Sequence, residues 1–477
     1  MKNLIKRPLF KGSAVQGRKV NGLGQKTRFL GSHTVQMSPN KPKESAETNV
    51  EQQPIDYDYF VNDFSKLRQP SVIRELNKLY SQKTTEMISL AGGLPNTTTF
   101  PFEEIAIRLN DGSCITLKER ILHDSLQYIP TQGYPPLLEK LREIVWQHHR
   151  PPSWDLCEIL VTPGAQDGIC KAVEMSLREG EAVIVQNPTY SGTACLLEPF
   201  RPDLIFVDQD ENGVIPEQLE DALEKRVKSK MKLPKMMYVN PTGANPTGVV
   251  LSTQRKREVY RLACKYNFII LEDDPYFYLY FDDKRPVSFL SLDTEGRVLR
   301  FDSFSKIMSP GFRVGFCTGP KHLIGRIELH VQAASLHAAS LPQVIIDKVI
   351  DTWGYDKLFA HIDSIRNYYK SKRDLMIEAS NKYLTGIAEW NTPTAGMFLW
   401  IKVKGIPDTK NLVCNECIKE GVMFVMGHAY YMEKDKACQY VRACFSLATP
   451  EQIDIGMQRL ATAIRREQKR YGYTPEK

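Results

Sequence analysis

No uninterrupted apolar stretch in the 477 residues approaches the roughly 18 that a membrane-crossing helix needs, which argues against an integral membrane protein. Acidic residues are missing from the first 43 positions, which hold ten basic ones; the remainder, 53 basic against 56 acidic, is almost neutral. The formal net charge of +7 is therefore local, and a basic arm on a neutral body reads as an address or a solvated tail rather than a nucleic-acid surface. A disulfide framework is missing too. The ten cysteines are scattered, which fits a reducing compartment. One close pair, Cys414 and Cys417, has CxxC spacing, but no second pair or histidine stands near it. It reads as two thiols one helical turn apart, and no metal site is expected. Internal repeats are absent, and a composition of 42% hydrophobic and 25% charged residues is that of a globular protein.

What is present divides into four segments. Residues 1–54 are polar and show no hydrophobic period. Their arginines, their lack of acids and the stretch RFLGSHTVQMS resemble a mitochondrial transit peptide, although Pro8, Gly12 and Gly17 interrupt the amphipathic helix such a peptide forms. The expected location is the mitochondrial matrix, with the cytoplasm as the alternative. Residues 55–90 form an N-terminal arm, where FVNDFSKLRQPSVIRELNKLY carries apolar positions at helical intervals. Over 91–365 helical and strand patterns alternate: PPLLEKLREIVWQHH and GICKAVEMSLREG read as helices, and AVIVQNP, KMMYVNP, FIILEDDPYFYL and VLRFDSFS as buried strands. Such alternation gives a mostly parallel α/β sheet covered by helices. Residues 366–477 alternate short strands with helices, a smaller α+β domain.

Polar residues at the carboxyl ends of the predicted strands point to chemistry, because that edge is where open α/β sheets bind ligands. In DSFSKIMSPGFRVG, Ser303, Ser305, Lys306 and Arg313 lie close together. A desolvated lysine is a nucleophile for a carbonyl, and hydroxyls beside an arginine suit a phosphate. FIILEDDPYFY ends in Asp273 and Tyr276; a buried carboxylate there needs a cation, and a protonated pyridine nitrogen is one. KMMYVNPTGANPTG places Asn245 in a loop of prolines and glycines. The spacings, 28 residues from Asn245 to Asp273 and 33 from Asp273 to Lys306, are each close to one βαβ repeat, so all three should emerge on one edge.

These motifs, in this order, resemble the class I and II pyridoxal-5′-phosphate aminotransferases of fold type I. ISLAGGLPN, DTEGRV, FDSFSK and AGMFLWIKVKGI are similar to the kynurenine/α-aminoadipate aminotransferase subgroup, and the similarity runs from about Tyr57 to the C-terminus. The resemblance implies a seven-stranded, mostly parallel sheet and a pyridoxal 5′-phosphate cofactor. Lys306 would bond to the cofactor and carry the proton at the substrate Cα; Asp273 would pair with the ring nitrogen; Asn245 and Tyr276 would hold the phenolic oxygen; Tyr190 would stack on the ring. Ser303, Ser305 and Arg313 would bind the phosphate with backbone amides at Ala165 and Gln166. Arg442, in YVRACFS, would clamp the substrate α-carboxylate, and Arg74, Gly93, Leu94 and Tyr128 would shape the side-chain pocket, some in the partner subunit of a homodimer. Tyr190 and Asn245 would also face the substrate.

One departure is visible: the subgroup usually carries a serine where this chain has Ala165. The implied reaction moves the amino group of 2-aminoadipate or kynurenine to 2-oxoglutarate, with an aromatic-specific transaminase or a β-lyase as the alternative on the same fold. Neither a nucleic-acid nor a membrane partner is expected. A ligand-sensing regulator of the same fold would need a DNA-binding module, and residues 1–54 lack the apolar periodicity for one.

Overall fold

The computed structural model describes residues 55–81, 90, 93–151, 153–433 and 436–473. The basic extension and part of the arm that follows it therefore lie outside the described residues. The strands in chain order are β1 (Glu104–Arg108), β2 (Cys114–Lys118), β3 (Cys157–Thr162), β4 (Ala182–Asn187), β5 (Asp203–Asp210), β6 (Gly213–Val214), β7 (Met236–Val239), β8 (Ile269–Asp273), β9 (Val298–Ser303), β10 (Gly315–Pro320), β11 (Ala388–Trp390), β12 (Phe398–Val403), β13 (Val425–Met426) and β14 (Tyr440–Cys444).

The central sheet runs β3-β10-β9-β8-β7-β4-β5-β6. Strands β5, β4, β7, β8 and β9 are parallel, whereas β10 is antiparallel to both β9 and β3. Seven strands match the number expected. The eighth, β6, is a two-residue return that pairs with the end of β5, too short to leave a hydrophobic pattern.

Every residue of β4, β7 and β8 is buried, because helices cover both faces of the sheet. Successive side chains feed opposite layers. Ile184, Met237, Val239 and Ile270 pack with Leu141 and Val145 of helix Pro135–His149 and Val259 of helix Thr253–Tyr266. Val183, Val185, Tyr238, Leu271 and Phe301 pack on the other face, with Ile169 of helix Ala165–Ser176 and Ile327 of helix Lys321–Ala334. Truncating one of these fully buried side chains, as in Leu271→Ala, costs about 2–5 kcal/mol.

The smaller sheet is antiparallel, in the order β11-β12-β14-β13. Its core residues Leu399, Ile401 and Val441 pack with Met376 of the helical stretch Ser340–Leu384 and with Met457 and Leu460 of helix Pro450–Arg470. Thr449 and Gln452 form a capping box at the start of that last helix. The stretch Ser340–Leu384 breaks at Gly354, whose φ of +69° is open to glycine at no steric cost. The segment with Cys414 and Cys417 is helical, as the spacing predicts, but begins with a π-turn over Leu412–Glu416; both thiols are free, Cys414 exposed and Cys417 buried. Among the described residues no helix is long and apolar enough to cross a membrane, and no group of side chains is arranged to hold a metal ion.

Candidate active site

Parallel pairing of β7, β8 and β9 brings their carboxyl ends to one edge, and with them the three groups the spacing predicts there. A cavity of about 150 Å³ opens at that edge. Its wall contains Ala165, Gln166, Tyr190, Asn245 and Asp273, together with Tyr276, Ser303, Ser305, Lys306 and Arg313. A larger cavity of about 750 Å³, beside Trp400 and Tyr440, holds none of these groups; size does not mark the chemistry.

Lys306 follows β9 in a single 3₁₀ turn, Phe304–Lys306, which the Ser303 hydroxyl caps by accepting from the Ser305 amide at 3.1 Å. Its ammonium lies 5.7 Å from the centre of the Tyr276 ring. Burial, with Arg313 nearby, lowers its pKa and so favours the free amine that attacks a carbonyl.

Asp273 ends β8 almost fully buried, and burial pushes its carboxyl up to about 7, assisted by the negative charge of Asp274. Among the described residues no cationic side chain bonds to this carboxylate; a bound cation would bring it back toward its ordinary range. Arg300, three residues before the end of the neighbouring strand and fully buried, is engaged elsewhere. It donates to Asp274 at 2.9 Å and to Asp302 at 2.7 and 2.9 Å, and reaches Glu272 at 3.2 Å. These bonds tie the ends of β8 and β9 together.

At the other end of the cavity, helix Ala165–Ser176 begins with unpaired backbone N–H groups, a natural anion site. Gly164, at φ +82°, admits Arg313: a Cβ there would stand 2.4 Å from the guanidinium. Arg313 donates to the Pro163 carbonyl at 3.2 Å and the Pro310 carbonyl at 3.3 Å. With the hydroxyls of Ser303 and Ser305 on the same wall, this cradle suits a phosphate. Tyr190 leads into helix Ser191–Leu197, and its ring lies over Gly192, where a Cβ would stand 2.5 Å away. The donor set thus fits pyridoxal phosphate: an amine for its aldehyde, a buried acid without a cationic partner among the described residues for its ring nitrogen, and a cationic and amide cradle for its phosphate.

Arg442 reaches the site from β14. Its Nη1 donates to Asn245 Oδ1 at 2.9 Å, its guanidinium lies 4.4 Å from the centre of the Phe398 ring and 5.2 Å from that of Tyr430, and among the described residues its buried Nε has no partner. A guanidinium with an unspent buried N–H is ready for a carboxylate.

Besides Arg442, which reaches the wall through Asn245, four predicted residues stand apart from the cavity wall. Arg74 donates to the Ile129 carbonyl at 3.1 Å and lies 5.9 Å from the Tyr128 ring centre; Tyr128, Gly93 and Leu94 are exposed. Two residues with no place in the sequence prediction belong to the site. Tyr238 donates to Asp273 Oδ2 at 2.6 Å, and Asn240, on the cavity wall, donates to the Asp273 backbone carbonyl at 2.6 Å. The available signal was a phenol and an amide at i and i+2 at the end of an otherwise apolar strand.

Comparison with known proteins agrees with this chemistry. The family model for class I and II aminotransferases matches residues 85–460. The mouse mitochondrial kynurenine/alpha-aminoadipate aminotransferase is 43% identical over 425 residues, covering 86% of this chain and 99% of that protein. Among solved structures, the aromatic aminotransferase Aro9 of Candida albicans superposes with a TM-score of 0.78 at 27% identity, covering 86% of this chain and 98% of that one. The Pyrococcus horikoshii kynurenine aminotransferase, solved with PMP, kynurenine and product, gives 0.70 at 32% identity, covering 86% and 98%. A cavity built for a carbonyl cofactor with a phosphate, on a chain matched over most of its length, places the protein in the class I and II aminotransferase family, as a pyridoxal-phosphate-dependent enzyme of fold type I.

Proposed function

We propose that the enzyme transfers the α-amino group of 2-aminoadipate and kynurenine to 2-oxoglutarate, as a homodimer in the mitochondrial matrix. The observation that carries the reading is Arg442, anchored to Asn245 with its Nε buried and unspent. One planar clamp serves the α-carboxylate of the amino acid and that of the oxo acid in turn. Relatives named for kynurenine and aminoadipate, and named mitochondrial, support the substrate pair and the compartment.

The bound cofactor supplies a cationic ring that draws the electron pair from the substrate Cα. Asp273 would keep a proton on the ring nitrogen. Asn245 and Tyr276 would donate to the ring oxygen, and Tyr190 would cover one ring face. Ser303, Ser305, Arg313 and the amides at Ala165 and Gln166 hold the phosphate. Lys306, whose pKa burial lowers toward the free amine, would take the proton from the substrate Cα and return it. Arg74, Gly93, Leu94 and Tyr128, away from the cavity of their own chain, complete the partner's substrate pocket.

The test is a visible absorbance titration of the loaded enzyme with each amino acid, with Lys306→Ala in parallel. Conversion of the cofactor band by 2-aminoadipate or kynurenine and its recovery with 2-oxoglutarate support the proposal. Conversion by phenylalanine or tyrosine alone would replace it with an aromatic transaminase, in line with the Candida relative. For the dimer, mixing inactive Lys306→Ala with inactive Arg74→Ala chains should restore up to a quarter of the wild-type activity, a value roughly expected from random pairing in which one of two sites is intact.

A further inference from the structure

We propose that Tyr238 is a positioning residue for Asp273, its phenol deciding which carboxylate oxygen faces the cofactor and holding the acid in its charged form. The inference rests on the assignment of the cofactor, not on the choice of substrate.

Tyr238 lies on β7 opposite Leu271 of β8, among Met236, Met237 and Val239, all buried. A hydroxyl in such surroundings costs stability unless it is bonded. Its partner is Asp273 Oδ2, at 2.6 Å. With one oxygen spent, Oδ1 is the acceptor left for a ring nitrogen. Asn240 completes the arrangement from the same strand end: its Nδ2 donates to the Asp273 carbonyl at 2.6 Å, its Oδ1 accepts from the Asn245 amide at 2.8 Å, and its own amide donates to Gln186 Oε1 at 2.8 Å. The carboxyl and the backbone of Asp273 are thus fixed separately, and the amide clip also fixes Asn245.

The plain alternative is that Tyr238 only fills the core, a task a phenylalanine would perform equally well. The two differ in the charge of Asp273. Burial pushes this acid up, and Asp274 beside it and Asp302 on β9 push the same way; the Tyr238 phenol and the Arg300 guanidinium pull it down. The phenols of Tyr190 and Tyr276 also face the carboxyl, and burial keeps both of them neutral. Of the groups that favour the charged form, Tyr238 is the hydrogen-bond donor to the carboxylate itself, while Arg300 acts through space. Loss of the phenol therefore leaves the acid protonated to a higher pH.

The experiment is a carboxyl titration of the cofactor-free protein by difference infrared spectroscopy, with Asp273→Asn identifying the band, in wild type and in Tyr238→Phe. The midpoint in Tyr238→Phe should lie higher by about one pH unit or more. In the loaded protein, cofactor dissociation should rise roughly tenfold and kcat fall by a similar factor, with the KM for the amino acid within about twofold. Asn240→Ala should weaken cofactor binding with the midpoint in place. Global replacement of tyrosine by 3-fluorotyrosine, which strengthens the donor without removing it, should lower the midpoint, and keeps the question decidable if Tyr238→Phe folds poorly. An unchanged midpoint and unchanged cofactor affinity in Tyr238→Phe, or a fluorotyrosine protein with an unshifted midpoint, would reduce Tyr238 to packing.

Discussion

Arg442 Nη1 donates to Asn245 Oδ1 across 2.9 Å, joining the smaller sheet to the loop that follows β7. The bond orients the guanidinium toward the cofactor cavity and leaves the Asn245 amide nitrogen to act as a donor. On the proposed roles of these two residues, substrate binding and cofactor binding would be linked through one amide.

Arg442→Lys should show what the planar group contributes. A lysine keeps the charge but loses the fork, so kcat/KM should fall by about 10–100-fold, the equivalent of roughly 1.5–3 kcal/mol. The loss should be the same for the amino donor and for the oxo acid, because both present an α-carboxylate. Half-reactions followed separately would check this; a loss confined to one of them would remove the shared-clamp role.

Ala165 opens the helix at the end of the cavity that Arg313 lines. Ala165→Ser adds a hydroxyl within a cradle already supplied with amides and Arg313. Cofactor affinity should improve about 2–10-fold, as one additional hydrogen bond is worth. Fluorescence titration of the cofactor-free protein measures it, and equal affinities would mean the added hydroxyl makes no bond.

Arg300 is buried with three carboxylates around it, those of Glu272, Asp274 and Asp302. Arg300→Met would strand these negative charges in the core and should cost about 3–5 kcal/mol. Urea unfolding of the cofactor-free protein reads the loss. Arg300→Lys, with fewer donors, should fall between the two, and a methionine variant as stable as wild type would show that the cluster is dispensable for folding.

Much of this architecture is legible in the chain. The apolar strands announce themselves, and Asn245, Asp273 and Lys306 stand out because polar groups at strand ends have no packing reason to be there. Tyr238 does not stand out: an aromatic in a strand is ordinary β-propensity. Asn240 is hidden in the same way, since asparagine beside proline and glycine reads as a turn residue. Arg300, between Leu299 and Phe301, is a charge inside an apolar strand, yet only the fold shows that Glu272 and Asp274 at the end of β8 join Asp302 of its own strand around it. The π-turn at Leu412–Glu416 and the two-residue β6 leave no periodic trace at all.

The acid behind the cofactor also sets a pH dependence. Burial holds Asp273 well above the ordinary carboxylate range, at about 7. An acid whose folded pKa is raised contributes stability that is complete below the unfolded value and is lost as pH rises through the folded one. Cofactor-free protein should therefore weaken between about pH 4 and 7, by up to about 4 kcal/mol from this group. Asp302, pushed up to about 6 chiefly by burial, acts in the same direction. Asp273→Asn removes the first contribution, so its unfolding free energy should fall less steeply across that range. Loading wild type with cofactor places a cation against the carboxylate and should flatten the profile as well. Denaturant unfolding at pH 5 and pH 8, for wild type and variant without cofactor, gives the comparison; parallel profiles would mean that Asp273 is charged in the empty site throughout.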